Sequence, residues 1–90
     1  MEFEYDPSKS ATNKDKHGID FEESKALWQD EWLLILDART ETEPRFLAIG
    51  RIARVNWTAI CTDRAGRTRI ISVRRSRQKE IEAYEEDHRS

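Results

Sequence analysis

A lysine and a histidine stand side by side at Lys16 and His17, just before Gly18, and Lys9 and Asn13 precede them at the spacing of one helix face. Farther along, arginines recur at Arg51, Arg67, Arg69, Arg74 and Arg75. Such residue types suit cleavage of an RNA phosphodiester without a metal. That reaction needs the 2′-hydroxyl deprotonated, the charge of the in-line phosphorane stabilised, and the 5′-oxygen protonated. Arginine and lysine meet the second need unaided. An imidazole titrates near pH ~6.5 in free peptides and can serve either proton transfer, which makes His17 the candidate beside Lys16. A plainer alternative stands next to it, because a histidine in the last turn of a helix also complements the helix dipole.

The remaining reactive types carry less. His17 and His88 lie far apart and neither has a histidine or cysteine three or four residues away, so no metal site is expected. Gly18, Gly50 and Gly66 are isolated, which excludes a phosphate-cradling glycine loop, and no cofactor is implied. The single cysteine, Cys61, sits among Ala59, Ile60 and Thr62, the setting of an inert buried thiol. Asp37 and Glu43 are acidic candidates that could act as bases or positioners beside arginines, and equally read as plain loop acids. Trp28, Trp32 and Trp57 could stack on bases, but in a chain of 90 residues they are expected mainly in the core.

Charge is distributed unevenly around these residues. Met1 to Ala48 carries twelve acids against six bases, whereas Ile49 to Lys79 carries nine bases against Asp63 alone. Eight of the nine are arginines, and guanidinium groups match phosphates bidentately. A segment of balance +8 within a chain of net charge −2 points to a polyanion or an acidic partner, or to no more than a solvated basic face. The acidic start Met1-Glu2-Phe3-Glu4 does not resemble a signal peptide, and no apolar run approaches the ~18 residues of a membrane span. A reduced cytoplasmic setting, with no membrane contact, is expected.

The elements that must position the site can be read from caps and periodicity. Asp6-Pro7 starts a polar helix that runs to His17 and stops at Gly18, and Asp20 with Glu23 starts a second that ends near Asp30. Phe3 to Tyr5 is a short alternating stretch that can add a strand. Leu33–Leu36 is an apolar run, followed by a polar loop over Ala38 to Pro44. Strands are expected at Arg45 to Ile52, Val55 to Thr62 and Thr68 to Arg75, with a turn over Asp63 to Arg67. Strict alternation in the last strand groups Arg69, Ile71, Val73 and Arg75 on one face and Thr68, Ile70, Ser72 and Arg74 on the other. Ser76 is the expected cap of a closing helix that Ile81 and Tyr84 dock. The order gives one α+β domain over residues 1–90: two N-terminal helices, a four-stranded antiparallel sheet with a short N-terminal strand as an optional fifth, and a C-terminal helix.

Several stretches together resemble the BrnT family of type II toxins. They are Phe3-Glu4-Tyr5-Asp6-Pro7 with Lys9, Asn13-Lys14-Asp15-Lys16-His17-Gly18-Ile19-Asp20-Phe21, Glu43 and Arg45 leading into Ile49-Gly50-Arg51, and Arg69-Ile70-Ile71-Ser72-Val73-Arg74-Arg75 with Glu80 and Tyr84. The resemblance covers nearly the whole chain. It implies a RelE-like fold, RNA cleavage that inhibits translation, and neutralisation by a ribbon-helix-helix antitoxin of BrnA type that also represses the operon. The expected assembly is two toxins on an antitoxin dimer, with operator DNA met only through the antitoxin. Carried onto this chain, the motif positions are Lys9, Lys16, His17, Arg69, Arg74 and Arg75. Pro44 departs from the family pattern between Glu43 and Arg45.

His17, Arg69, Arg75 and Lys16 are therefore the catalytic candidates, and Lys9, Arg51, Arg67 and Arg74 the RNA-binding ones. Two other readings use the same surface: a nucleic-acid-binding protein without catalysis, and an interaction module that docks an acidic antitoxin.

Overall fold

Local capping builds the N-terminal half as expected. The Asp6 side chain accepts a hydrogen bond from the Ser8 amide, and Pro7 opens helix α1 (Pro7–His17). Gly18, at φ 80°, closes it and donates its amide to the Lys14 carbonyl. Asp20 and Glu23 then form a reciprocal capping box at the start of α2 (Phe21–Ser24). The expected second helix is shorter than its sequence pattern, because after Ser24 the chain tightens into a 3₁₀ segment over Lys25–Gln29.

A computed structural model describes residues 1–38 and 43–89. It contains a five-stranded sheet of order β1-β5-β4-β3-β2, with β1 at Phe3–Glu4, β2 at Leu34–Ala38, β3 at Arg45–Ile52, β4 at Val55–Arg64 and β5 at Arg67–Arg75. Four strands pair antiparallel in chain order. The short N-terminal stretch does pair, but parallel to β5, through Phe3 with Thr68 and Glu4 with Arg69, so the sheet is mixed rather than antiparallel throughout. Most of the expected 38–44 loop lies outside the described residues. The turn expected over Asp63 to Arg67 shrinks to Ala65-Gly66, with both residues at positive φ.

The register of β5 overturns the expected alternation. Ile60 pairs with Ser72 but Cys61 pairs with Ile70, which leaves Ile71 as an inserted bulge residue. From that point every side chain changes sides. Thr68, Ile70, Val73 and Arg75 share one face with their partners Asp63, Cys61, Ala59 and Trp57. Arg69, Ser72 and Arg74 share the other with Thr62, Ile60 and Thr58. Arg69 and Arg75 therefore do not lie on one face.

Helices cover both sides. On the first face Ile19, Phe21 and Leu27 pack against Ala48, Ala59, Cys61, Ile70 and Val73. Burying these side chains is the main stabilising contribution, at roughly 25 cal/mol per Å² of apolar surface removed from water. On the second face α3 (Gln78–Arg89) is tied down by Glu80 to Thr58 and by the buried Tyr84 against Arg51. Ser76 does not cap α3. Its hydroxyl is shared with Thr58, and Glu80 reaches back to the Arg77 amide instead, so the helix entry sits one residue later than expected. Among the described residues no helix is long and apolar enough to cross a membrane.

Candidate functional site: a cationic cleft over the β5 bulge

The bulge and α1 make a cleft together. Asn13, 6% exposed, donates its amide to the carbonyls of Val73 (2.9 Å) and Ile19 (2.8 Å), and its side-chain oxygen accepts the Val73 amide (3.2 Å). An asparagine thus stands in for a neighbouring strand just beyond the bulge, where the β5 edge would otherwise be unpaired. Beside it lies a cavity of about 210 Å³ lined by Lys9, Thr12, Lys16 and His17 from α1 and by Ile71 and Ser72 from the bulge. Lys9, Lys16 and His17 are all exposed. Among the described residues neither lysine has an acidic partner, and no carboxylate lines the cleft. It therefore offers positive charge, an imidazole and the hydroxyl residues Thr12 and Ser72.

The sequence singles out Lys9, Lys16 and His17, and the fold brings those three together. Asn13, Ile71 and Ser72 escape notice as site residues. Asn13 is the third polar position on the Lys9/Lys16 face, a usable signal, but nothing local marks Ile71 as a bulge.

The candidate arginines are dispersed, and acids from other parts of the chain answer several of them. Arg67 meets Glu2 at 3.4 Å and Arg69 meets Glu4 at 3.6 Å across the β1–β5 pairing. Arg51 donates to Asn56 (3.1 Å), lies 3.5 Å from Glu85, and sits over the Tyr84 ring. The exposed Arg67–Glu2 and Arg51–Glu85 pairs contribute about 0–1 kcal/mol each, whereas Arg69 and Glu4 are half-buried. The basic stretch is thus less bare than its charge count implies.

Arg74 is held differently. Its guanidinium grips Glu80 by two bonds of 2.7 and 2.8 Å, and Glu80 also accepts from Thr58 and from the Arg77 amide. Arg74 above all, helped by these donors and opposed by partial burial, holds the Glu80 carboxyl down at about 2. The bidentate fork is fully used, which makes Arg74 a link between β5 and α3. Arg75 is exposed and lies with its guanidinium carbon 5.1 Å from the centre of the Trp57 ring.

A second cavity, about 470 Å³, opens between the 3₁₀ segment, the β3–β4 turn and α3, against Asp30, Trp32, Arg51, Arg54 and Tyr84. Burial pushes the Asp30 carboxyl up, but the Trp32 amide, the Tyr84 hydroxyl and the Arg51 amide together hold it below the usual range. Asp30 therefore acts as a hub that ties three elements. Trp32 is 48% exposed and stacks on His88, so it is not the core residue its type suggests, whereas Trp57 is buried and Trp28 half-buried.

Asp37 is an exposed β2 residue and Glu43 pairs with Arg45 at 3.3 Å, both away from the cleft. Burial, with a smaller push from Asp63, raises the Cys61 thiol to about 12, which makes it a poor nucleophile. Among the described residues no cluster of three or more His, Cys, Asp or Glu side chains could hold a metal ion.

No curated protein matches the chain. A family model described as "Ribonuclease toxin, BrnT, of type II toxin-antitoxin system" matches residues 5–80, a span that includes α1, the whole bulged β5 and Glu80.

Proposed function

Since the chain belongs to the BrnT family of ribonuclease toxins of type II toxin–antitoxin systems, we propose that the α1–β5 cleft is where RNA is cut. The observation that carries this reading is the convergence of Lys9, Lys16 and His17 over the bulge, in a cavity free of carboxylates. A phosphodiester fits that chemistry. Lys9 and Lys16 hold the scissile phosphate and offset the charge that builds on it, and His17 moves a proton to or from the reacting oxygens. Cleavage needs no metal, because cations already present at the cleft supply the electrostatic stabilisation.

The arginines serve the bound strand. Arg75, exposed and free of an acidic partner among the described residues, contacts RNA directly. Arg67 and Arg51 reach phosphate by exchanging Glu2 and Glu85 for it, a small cost for exposed pairs, and Arg69 by releasing its half-buried partner Glu4. In the cell the outcome is loss of translation. A ribbon-helix-helix antitoxin restrains the toxin, with two toxins on one antitoxin dimer and operator DNA held by the antitoxin alone.

Incubating the purified protein with unstructured RNA, with and without EDTA, tests this reading. Cleavage in both conditions is the expected result. Loss of cleavage in EDTA would refute metal independence, and intact RNA in both would remove catalysis from the account and leave a binding protein.

A further inference from the structure

The end of the sheet opposite the Ala65-Gly66 turn carries a second cationic group. There β3 and β4 are joined by Ala53-Arg54, with φ of 50° and 70°. Two-residue hairpins of this hand favour glycine or asparagine, since a Cβ is strained at positive φ. The other two-residue turn of the sheet obeys that preference with Gly66 at its second position, while this one places an arginine there. Trp57 pairs with Arg75 across β4 and β5, and the Ser76 amide continues the pairing to the Asn56 carbonyl, which sets Arg77 next to the start of β4. Arg54, Arg75 and Arg77 thus lie at one sheet end, with Arg54 also lining the cavity that holds Asp30 and Trp32. All three are exposed, and among the described residues none has an acidic partner. That sets them apart from Arg51, Arg67, Arg69 and Arg74.

The Arg75–Trp57 contact shows what such a group would hold. The indole is buried and holds the guanidinium at its ring, while Arg75 itself is exposed. A planar cation seated over an indole at 5.1 Å and otherwise exposed is a surface on which a nucleobase stacks, and stacking is indifferent to base identity. An acidic side chain would need only the N–H edges of the fork, not a flat open face. We propose that this end of the sheet is a single-stranded RNA subsite separate from the cleft, in which Arg75, positioned by Trp57, stacks a nucleobase while Arg54 and Arg77 hold phosphate. The assignment rests on the ribonuclease reading and adds to it where a nucleotide outside the cleft is held.

The test uses a short 2′-O-methyl oligonucleotide, which lacks the attacking hydroxyl, so that affinity is measured apart from cleavage. Abasic substitution is moved along the strand. For the wild-type protein one position should cost about tenfold in affinity, the scale of one lost base stack. Arg75→Lys keeps the charge but not the plane, and should bind well while losing that position's penalty. Arg54→Gln and Arg77→Gln should each weaken binding and flatten the dependence of log affinity on log salt by about 0.7, the value for one single-strand phosphate contact.

Identical abasic profiles for wild type and Arg75→Lys, with unchanged salt slopes for the glutamine variants, would overturn the subsite. If wild type still cuts unmodified RNA, the ribonuclease reading survives that result. If wild type neither binds nor cuts, both fall. Variants that bind RNA normally but no longer hold the antitoxin would make this surface a protein interface and contradict the proposal.

Discussion

Asn13 holds Val73 by both of its backbone polar groups, accepting the amide at 3.2 Å and donating to the carbonyl at 2.9 Å. This one side chain fixes α1 to the strand that carries the bulge, and so fixes Lys9, Lys16 and His17 relative to Ile71 and Ser72. Replacement with alanine leaves three buried backbone groups without their partner, at a cost of about 2–4 kcal/mol. Asn13→Asp should be worse than Asn13→Ala, because a buried carboxylate would face the Val73 and Ile19 carbonyls where an amide now donates. Chemical denaturation of the three proteins checks the order, and an aspartate variant as stable as wild type would contradict it.

Arg74 and Arg75, neighbours in sequence, should respond oppositely to truncation. Arg74→Ala strands a largely buried Glu80 carboxylate and should lower stability by about 3 kcal/mol. Arg75→Ala should change melting by little, within about 0.5 kcal/mol, yet weaken RNA binding. Melting curves and RNA affinity measured on the same two samples separate the roles. Equal melting temperatures would show that the Arg74–Glu80 pair contributes nothing.

The same pair sets an acid limit. Arg74 first, then the Arg77 amide and Thr58, depress the Glu80 carboxyl from an ordinary 4.5 to about 2. A depressed carboxylate stabilises the fold fully above its unfolded value, and the contribution is lost as pH falls from about 4.5 toward 2, at most roughly 3 kcal/mol. Glu80→Gln should be less stable at neutral pH and should lose part of this acid dependence. Parallel stability–pH curves for wild type and Glu80→Gln would exclude the pair as the cause.

Much of the fold is legible in the residues because its signals are local. Asp6, Pro7, Gly18, Asp20 and Glu23 mark helix ends through contacts within four residues, and all act as their types suggest. What is not legible depends on distant partners. The bulge at Ile71 exists because Ser72 and Ile70 answer consecutive residues of another strand, and Ile71 differs in no way from its neighbour Ile70. Period-two alternation therefore groups Arg69 with Arg75, and one inserted residue separates them. Ser76 has a capping side chain, but Thr58 claims it and Glu80 serves the helix start instead. Trp32 lies outside the core, 48% exposed, and finds its ring partner in His88 of α3, a residue distant in sequence. The cleft was half visible: the α1 cations share a helix face, whereas Ser72 and Ile71 enter only through the tertiary register.

Cys61, fully buried and raised to about 12, should not react with a thiol reagent at neutral pH until the protein unfolds. The labelling rate should follow global unfolding in denaturant. Fast labelling of native protein would mean that the core between β4 and the helices opens locally.

Whether the α1 cleft does the cutting decides the proposed function. The direct measurement is single-turnover cleavage of one RNA by wild type, His17→Ala and Lys16→Ala, with melting temperature recorded for each. Both side chains are exposed, so both variants should melt like wild type. Loss of a proton-transfer group should slow His17→Ala by about 10²–10⁴-fold, and Lys16→Ala should be slowed as well, with RNA affinity reduced. Cleavage at the wild-type rate by a folded His17→Ala, Lys16→Ala double variant would place the chemistry elsewhere on the protein.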